Sequence, residues 1–171
     1  MDNDELRKKL TSLRAGNKTA LEEIYEALKT PMYTIILRVT RDKSLSEDIL
    51  QEVFVKLYLS PPVSVKNPRA YLFQMARNLA VDGVRKSPRF AALDERESLV
   101  YWPDDPLEKM DIERAMQALP LQECQIVSLH INGALTFREI AELLGLPLGT
   151  AIWKYHRAIQ RLRSHISGGA I

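Results

Sequence analysis

The sequence predicts an all-α protein: two small helical domains joined by a flexible acidic linker, the second containing a helix-turn-helix. Three observations carry this expectation. Apolar residues recur at three- and four-residue spacings behind recognisable capping residues, and β-branched residues never alternate with polar ones over a useful length. Charge also changes sign along the chain: residues 1–86 hold 15 Lys+Arg against 11 Asp+Glu, residues 87–111 hold 3 against 7, and residues 112–171 hold 6 against 4. The acidic middle stretch contains Pro88, Pro103 and Pro106 without a sustained helical period, which marks it as the linker. At 171 residues the chain has room for one compact domain or two small ones, and 46% apolar content supplies a core and excludes a disordered tail.

In the first domain, Thr19 followed by Glu22 is a capping-box pattern that opens a helix with Leu21, Ile24, Tyr25 and Leu28 on one face. Pro31 is expected to kink or split it before Met32, Ile35, Ile36 and Val39. Ser44 with Glu47 opens the next helix, which turns Ile49, Leu50, Val53, Phe54 and Leu57 inward and ends at Pro61 and Pro62. Asn67 then supplies a cap and Pro68 the first helical position of a helix running to about Lys86, with Leu72, Met75, Ala76 and Leu79 inside.

In the second domain, Asp105, Pro106 and Glu108 begin a helix that stops before Pro120, and another runs from there to about Asn132 and Gly133. Thr136 with Glu139 caps a short helix bearing Ile140, Ala141 and Leu144. Gly145 follows, able to take the left-handed conformation of a tight turn, and Pro147 starts a longer helix with Ala151, Ile152, Tyr155, Ala158, Ile159, Leu162 and Ile166 on its inner face. Lys154, Arg157, Arg161 and His165 lie opposite. Between Ala151 and His165 there are four Lys+Arg and no acid, the pattern of a helix that enters a DNA major groove while its cations meet phosphates. A solvated amphipathic helix whose positive charge complements its own dipole is the plainer alternative.

The helix from Pro68 to Lys86 carries Tyr71, Gln74, Asn78 and Arg85 on one outer face, flanked by Arg77 and Asp82. A ring stacks on any base and amides read base edges, so this face suits unstacked bases and their phosphates. Catalysis has little support, because His130, His156 and His165 are scattered and no glycine loop is built to cradle a phosphate. Cys124 is the only cysteine, which rules out an internal disulfide and a multi-cysteine zinc site; no metal or other cofactor is expected. No unbroken apolar stretch exceeds about five residues, against the roughly 20 that span a bilayer, so no membrane insertion is expected. The N-terminal residues show no secretory h-region, so a cytoplasmic location is expected.

The stretch SLSEDILQEVFVKLY followed by NPRAYLFQMARNLAVDGVRK resembles region 2 of the sigma-70 family, and ALPLQECQIVSLHINGALTFREIAELLGLPLGTAIWKYHRAIQRLR resembles region 4. Both motifs, in this order, are similar to the small two-lobe extracytoplasmic-function (ECF) sigma factors of bacterial RNA polymerase. The resemblance implies a non-enzymatic initiation factor whose partners are core RNA polymerase, promoter DNA and an anti-sigma factor. It implies a polymerase-docking face at Asp48, Gln51, Glu52 and Phe54. It places minus-ten binding on Tyr71, Gln74, Arg77, Asn78, Asp82, Arg85 and Lys86, with Asn78 lining a pocket for an extruded base. Minus-thirty-five binding falls on Thr150, Trp153, Lys154, Arg157 and Arg161, and the acidic linker corresponds to a segment threaded into the RNA exit path. The chain departs from the family's usual GTVKSRLHRA, reading GTAIWKYHRA, so Ile152 and Trp153 replace polar or basic residues near the groove-facing end. A stand-alone helix-turn-helix regulator with a sensor domain is the main rival reading, and a sequestering adaptor with no nucleic-acid role is a third.

Overall fold

The computed structural model describes residues 1–86 and 115–168, with side chains through residue 165. Its described elements are helical, and the chain divides into two units, Met1–Ser87 and Pro88–Ile171. The acidic linker expected over residues 87–111 and the helix start expected at Asp105 lie outside the described residues.

The first unit contains α1 (Asn3–Arg14), α2 (Lys18–Thr40), α3 (Lys43–Leu59) and α4 (Pro68–Lys86). The sequence reading assigned no helix to α1, although its signals are ordinary ones. Asp2 caps it by accepting the Glu5 N–H at 2.8 Å, and Leu6, Leu10 and Leu13 are buried along one face. Two cap assignments need correction. The N-cap of α2 is Asn17, which accepts the Thr19 N–H at 3.0 Å; Gly16, at φ +90°, reverses the chain there, so the helix must start before Thr19 is reached. Likewise Asp42, not Ser44, caps α3 by accepting the Leu45 N–H at 3.0 Å, directly after Arg41 ends α2 in the left-handed region. In both cases a carboxylate or amide at the point of chain reversal outcompetes a hydroxyl two residues further on.

Pro31 lies inside α2 and does not split it: the helix is continuous from Lys18 to Thr40. Proline removes its own N–H from the ladder and crowds the carbonyl four residues earlier, and the burial of Leu28, Met32, Ile35 and Ile36 on both sides of it offsets that cost and keeps the two halves packed as one element. The cap at Asn67 is as expected, its side chain accepting the Ala70 N–H at 3.0 Å. The buried stripe of α4, however, is Leu72, Phe73, Ala76 and Ala80, rotated by about 60° from the expected one at 100° per residue. Met75 and Leu79 are consequently only half-buried and turn toward the surface.

The second unit contains α5 (Leu121–Ile131), α6 (Phe137–Leu144) and α7 (Leu148–Gly168), preceded by a helical turn that ends before Pro120. Met116, Leu119, Cys124, Val127 and Ala158 form one core cluster, with Tyr155 and Leu162 packed against it. The capping box at α6 is complete: the Thr136 N–H donates to the Glu139 carboxylate at 2.6 Å and the Glu139 N–H to the Thr136 hydroxyl at 3.4 Å. Gly145 ends α6 at φ +66°, the left-handed geometry expected of it, and the Leu146 N–H returns to the Ala141 carbonyl at 2.8 Å. A ring cluster joins the three helices. His130 stacks on Phe137 at 4.4 Å, and both meet the edge of Tyr155 at 5.0 Å. The His130 Nδ1–H donates to the Leu135 carbonyl at 2.9 Å, which fixes the ring's orientation.

Candidate nucleic-acid interface

In the first unit, α3 presents Asp48, Gln51 and Glu52 to solvent, with Glu52 3.1 Å from Lys56 one turn on. Phe54 does not join them. It is 6% exposed and meets the Tyr25 ring edge-on at 4.9 Å, so it fastens α3 to α2. The apolar neighbours on the exposed face are instead Val55 and Leu59, 53% and 73% exposed, which fall within the same arc as Asp48 and Glu52 at 100° per residue. This signal stood in the sequence as apolar residues at positions that the inward stripe leaves out.

Lys56 of α3 and Tyr71, Gln74, Met75, Asn78, Leu79 and Asp82 of α4 line an open groove of about 340 Å³. The rotation of α4's buried stripe creates its floor, since Met75 and Leu79 supply apolar surface between the polar groups. Tyr71, Gln74, Asn78 and Asp82 are thus brought together as expected. Arg85 continues the face, 3.9 Å from Asp82 and largely exposed, and Lys86 is exposed. Arg77 stands apart: it is half-buried, its Nε has no hydrogen-bond partner, and desolvation pushes its guanidinium pKa down. Sequence reasoning missed Lys56, whose cation comes from a neighbouring helix and is visible only after folding.

In the second unit, Thr150 and Lys154 are half-buried near the start of α7, and Trp153 is 55% exposed. The Arg157 guanidinium lies over the Trp153 ring at 5.0 Å from its centroid. Arg161 turns back into the unit, its Nη1 donating to Glu123 Oε2 at 2.9 Å, while Arg157 Nε stands 3.8 Å from Glu123 Oε1. The start of α7 therefore shows an exposed indole beside a half-buried lysine, and Glu123 of α5 stands between the two arginines that follow, hydrogen-bonded to Arg161 and ion-paired with Arg157.

The family model for sigma-70 region 2 matches residues 24–90, and that for sigma-70 region 4 matches residues 109–162. The chain is 32% identical to the ECF RNA polymerase sigma factor RpoE of Cereibacter sphaeroides over 71% of this chain and 70% of that one. It is 24% identical to the ECF RNA polymerase sigma factor SigW of Bacillus subtilis, covering 94% of this chain and 96% of that one. Among solved structures, the sigma factor RpoE of Bartonella quintana, in complex with the anti-sigma factor NepR, aligns with a TM-score of 0.62 at 20% identity over 85% of this chain and 95% of that one. CnrH, in complex with the cytosolic domain of CnrY, aligns with a TM-score of 0.64 at 17% identity over 97% and 99% of the two chains. A lone helix-turn-helix regulator accounts for the second match and leaves the first unexplained; with both regions present and in order, the chain belongs to the sigma-70 family as an ECF sigma factor, a promoter-directing initiation factor of RNA polymerase.

Proposed function

We propose that the work of initiation is divided among three surfaces of this chain. The exposed face of α3, with Asp48, Gln51 and Glu52 beside Val55 and Leu59, docks on core RNA polymerase. An acidic rim around apolar residues is the composition of a patch that gains affinity from burial and orientation from charge. The α4 groove holds the unpaired strand of the minus-ten element, with Tyr71 stacking on a base, Gln74 and Asn78 reading edges, and Lys56, Arg85 and Lys86 meeting phosphates. The start of α7 reads the minus-thirty-five duplex through Thr150, Trp153, Lys154 and Arg157. Phe54 and Arg161 serve these surfaces indirectly, by holding α3 and α7 in place.

The observation that carries this reading is the groove itself: a ring, two amides, the Lys56 cation and the Asp82 carboxylate converge over an apolar floor of Met75 and Leu79, donors, acceptors and a stacking surface suited to an unpaired base. The chain binds and holds; bond formation belongs to the polymerase. Residues 1–86 and 112–171 act as the two functional domains, and an anti-sigma factor is the expected regulator, as the two solved structures named above each contain a bound partner.

Mobility of a promoter fragment, measured with the chain alone, with core polymerase alone and with both, tests this division. Stable promoter binding is expected only with both. Tight binding by the chain alone favours the stand-alone regulator.

A further inference from the structure

Glu123 is 3% exposed in the first turn of α5, a helix that otherwise buries Cys124, Ile126, Val127 and Leu129. A carboxylate loses its hydration on burial and stays ionised only where partners replace the water. Two guanidiniums stand against it, one at each oxygen: Arg161 Nη1, hydrogen-bonded at 2.9 Å from Oε2, and Arg157 Nε, at an ion-pair distance of 3.8 Å from Oε1. Residues 157 and 161 stand one helical turn apart, so a single buried acid of α5 tethers two successive guanidiniums of α7.

The two arginines are held differently. Arg161 points a terminal nitrogen at the carboxylate within hydrogen-bond distance, so that end of its donor fork is engaged by Glu123. Arg157 approaches through Nε, which leaves both Nη nitrogens for a ligand, and its plane lies over the exposed indole of Trp153. A guanidinium placed between a buried carboxylate and a ring has fewer favourable orientations than a free one, and it is restricted orientation that turns an arginine from a phosphate-neutralising charge into a base reader.

We propose that Glu123 is a positioning residue for duplex recognition, aiming Arg157 for base readout and withholding Arg161 from the phosphates. The proposal rests on the assignment of α7 as the minus-thirty-five reader. Affinity for DNA in general is thereby traded for discrimination among sequences: with Glu123 neutralised, Arg161 is released toward the backbone and Arg157 loses its aim.

The test is made on holoenzyme assembled from core RNA polymerase and the full chain, binding a promoter library varied through the upstream duplex element at several salt concentrations. Glu123→Gln keeps the volume and removes the charge. The expected result is that the affinity ratio between the best and worst sequences shrinks roughly tenfold, the scale of one well-oriented arginine contact. The salt slope steepens by up to about one unit as Arg161 reaches a phosphate. Glu123→Asp, which keeps the charge, is expected to retain more of the wild-type discrimination than Gln. Uniformly weaker binding with unchanged ranking, and equal harm from Asp and Gln, overturns the proposal. If circular dichroism shows Glu123→Gln unfolded, Glu123→Asp, which shortens the tether by one methylene, decides alone: a narrowed ratio supports the proposal, and an unchanged ratio overturns it. Trp153→Ala and Arg157→Ala, run alongside, separate the two levels. If all three substitutions leave the ranking unchanged, α7 is not the reader; if only Glu123→Gln does so, the positioning role alone fails.

Discussion

The side-chain carbonyl of Asn3 accepts the backbone N–H of Arg69 at 3.0 Å, so the start of α1 satisfies an orphan donor at the start of α4 across 66 residues of sequence. Three further bonds join the same two segments. Arg69 Nη1 donates to the Met1 carbonyl at 2.8 Å, Arg7 Nη2 to the Lys66 carbonyl at 3.1 Å and Arg14 Nη1 to the Val63 carbonyl at 2.7 Å. The first helix thereby pins both the connection before α4 and the helix end from which Tyr71 projects into the groove.

Asn3→Ala removes this tertiary cap, and side-chain caps of this kind are worth about 1 kcal/mol. Hydrogen exchange at the first amides of α4 should accelerate by roughly fivefold to tenfold, while amides of α5 and α7 stay unchanged. Equal acceleration in both units would show that the substitution acts on the whole chain and not on the cap.

That first helix also shows where sequence reasoning stopped. Its buried leucines and its Asp2 cap obey the rules that revealed the other helices, but a short, highly charged N-terminal segment reads equally well as a solvated tail until its partners in α4 are known. The capping box at Thr136 and the left-handed turn at Gly145 were legible because both are local, set by residues within one turn. The position of Lys56 in the groove, the retreat of Phe54 and the pairing of Arg161 with Glu123 depend on neighbours distant in sequence, and no local pattern records them.

Phe54→Ala and the double change Asp48→Lys with Glu52→Lys should fail in different ways. Truncating a buried ring costs about 3–5 kcal/mol, so Phe54→Ala should lower the thermal midpoint and the far-ultraviolet helical signal on heating. Reversing two exposed charges should preserve helicity and abolish co-purification with core polymerase. Undiminished association of the double variant would remove the docking role from this face.

Tyr71→Ala and Asn78→Ala should reduce promoter opening without reducing association with core polymerase. Loss of one stacking ring costs about 1–3 kcal/mol, which permanganate reactivity of unpaired thymines around the start site detects readily. Wild-type reactivity with both variants would mean that the α4 groove does not hold the strand.

Gly133→Ala should destabilise the second unit more than Gly145→Ala. A Cβ on Gly133 would lie 2.5 Å from the backbone carbonyl oxygen of Leu129, which cannot move without disturbing α5. At Gly145 the space is open and the cost is only that of a left-handed alanine, about 1–2 kcal/mol. Urea titration followed by exchange at the amides of α5 and α7 ranks the two, and the reverse order would contradict the packing described around Leu129.

Transcription by purified core RNA polymerase from a random-sequence promoter library, with and without the full chain, measures the central claim most directly. Addition of the chain should create a discrete set of start sites, each preceded by a shared pair of elements, and the Asp48→Lys with Glu52→Lys variant should create none. An unchanged set of start sites, together with tight sequence-specific duplex binding by the chain alone, would contradict an initiation role.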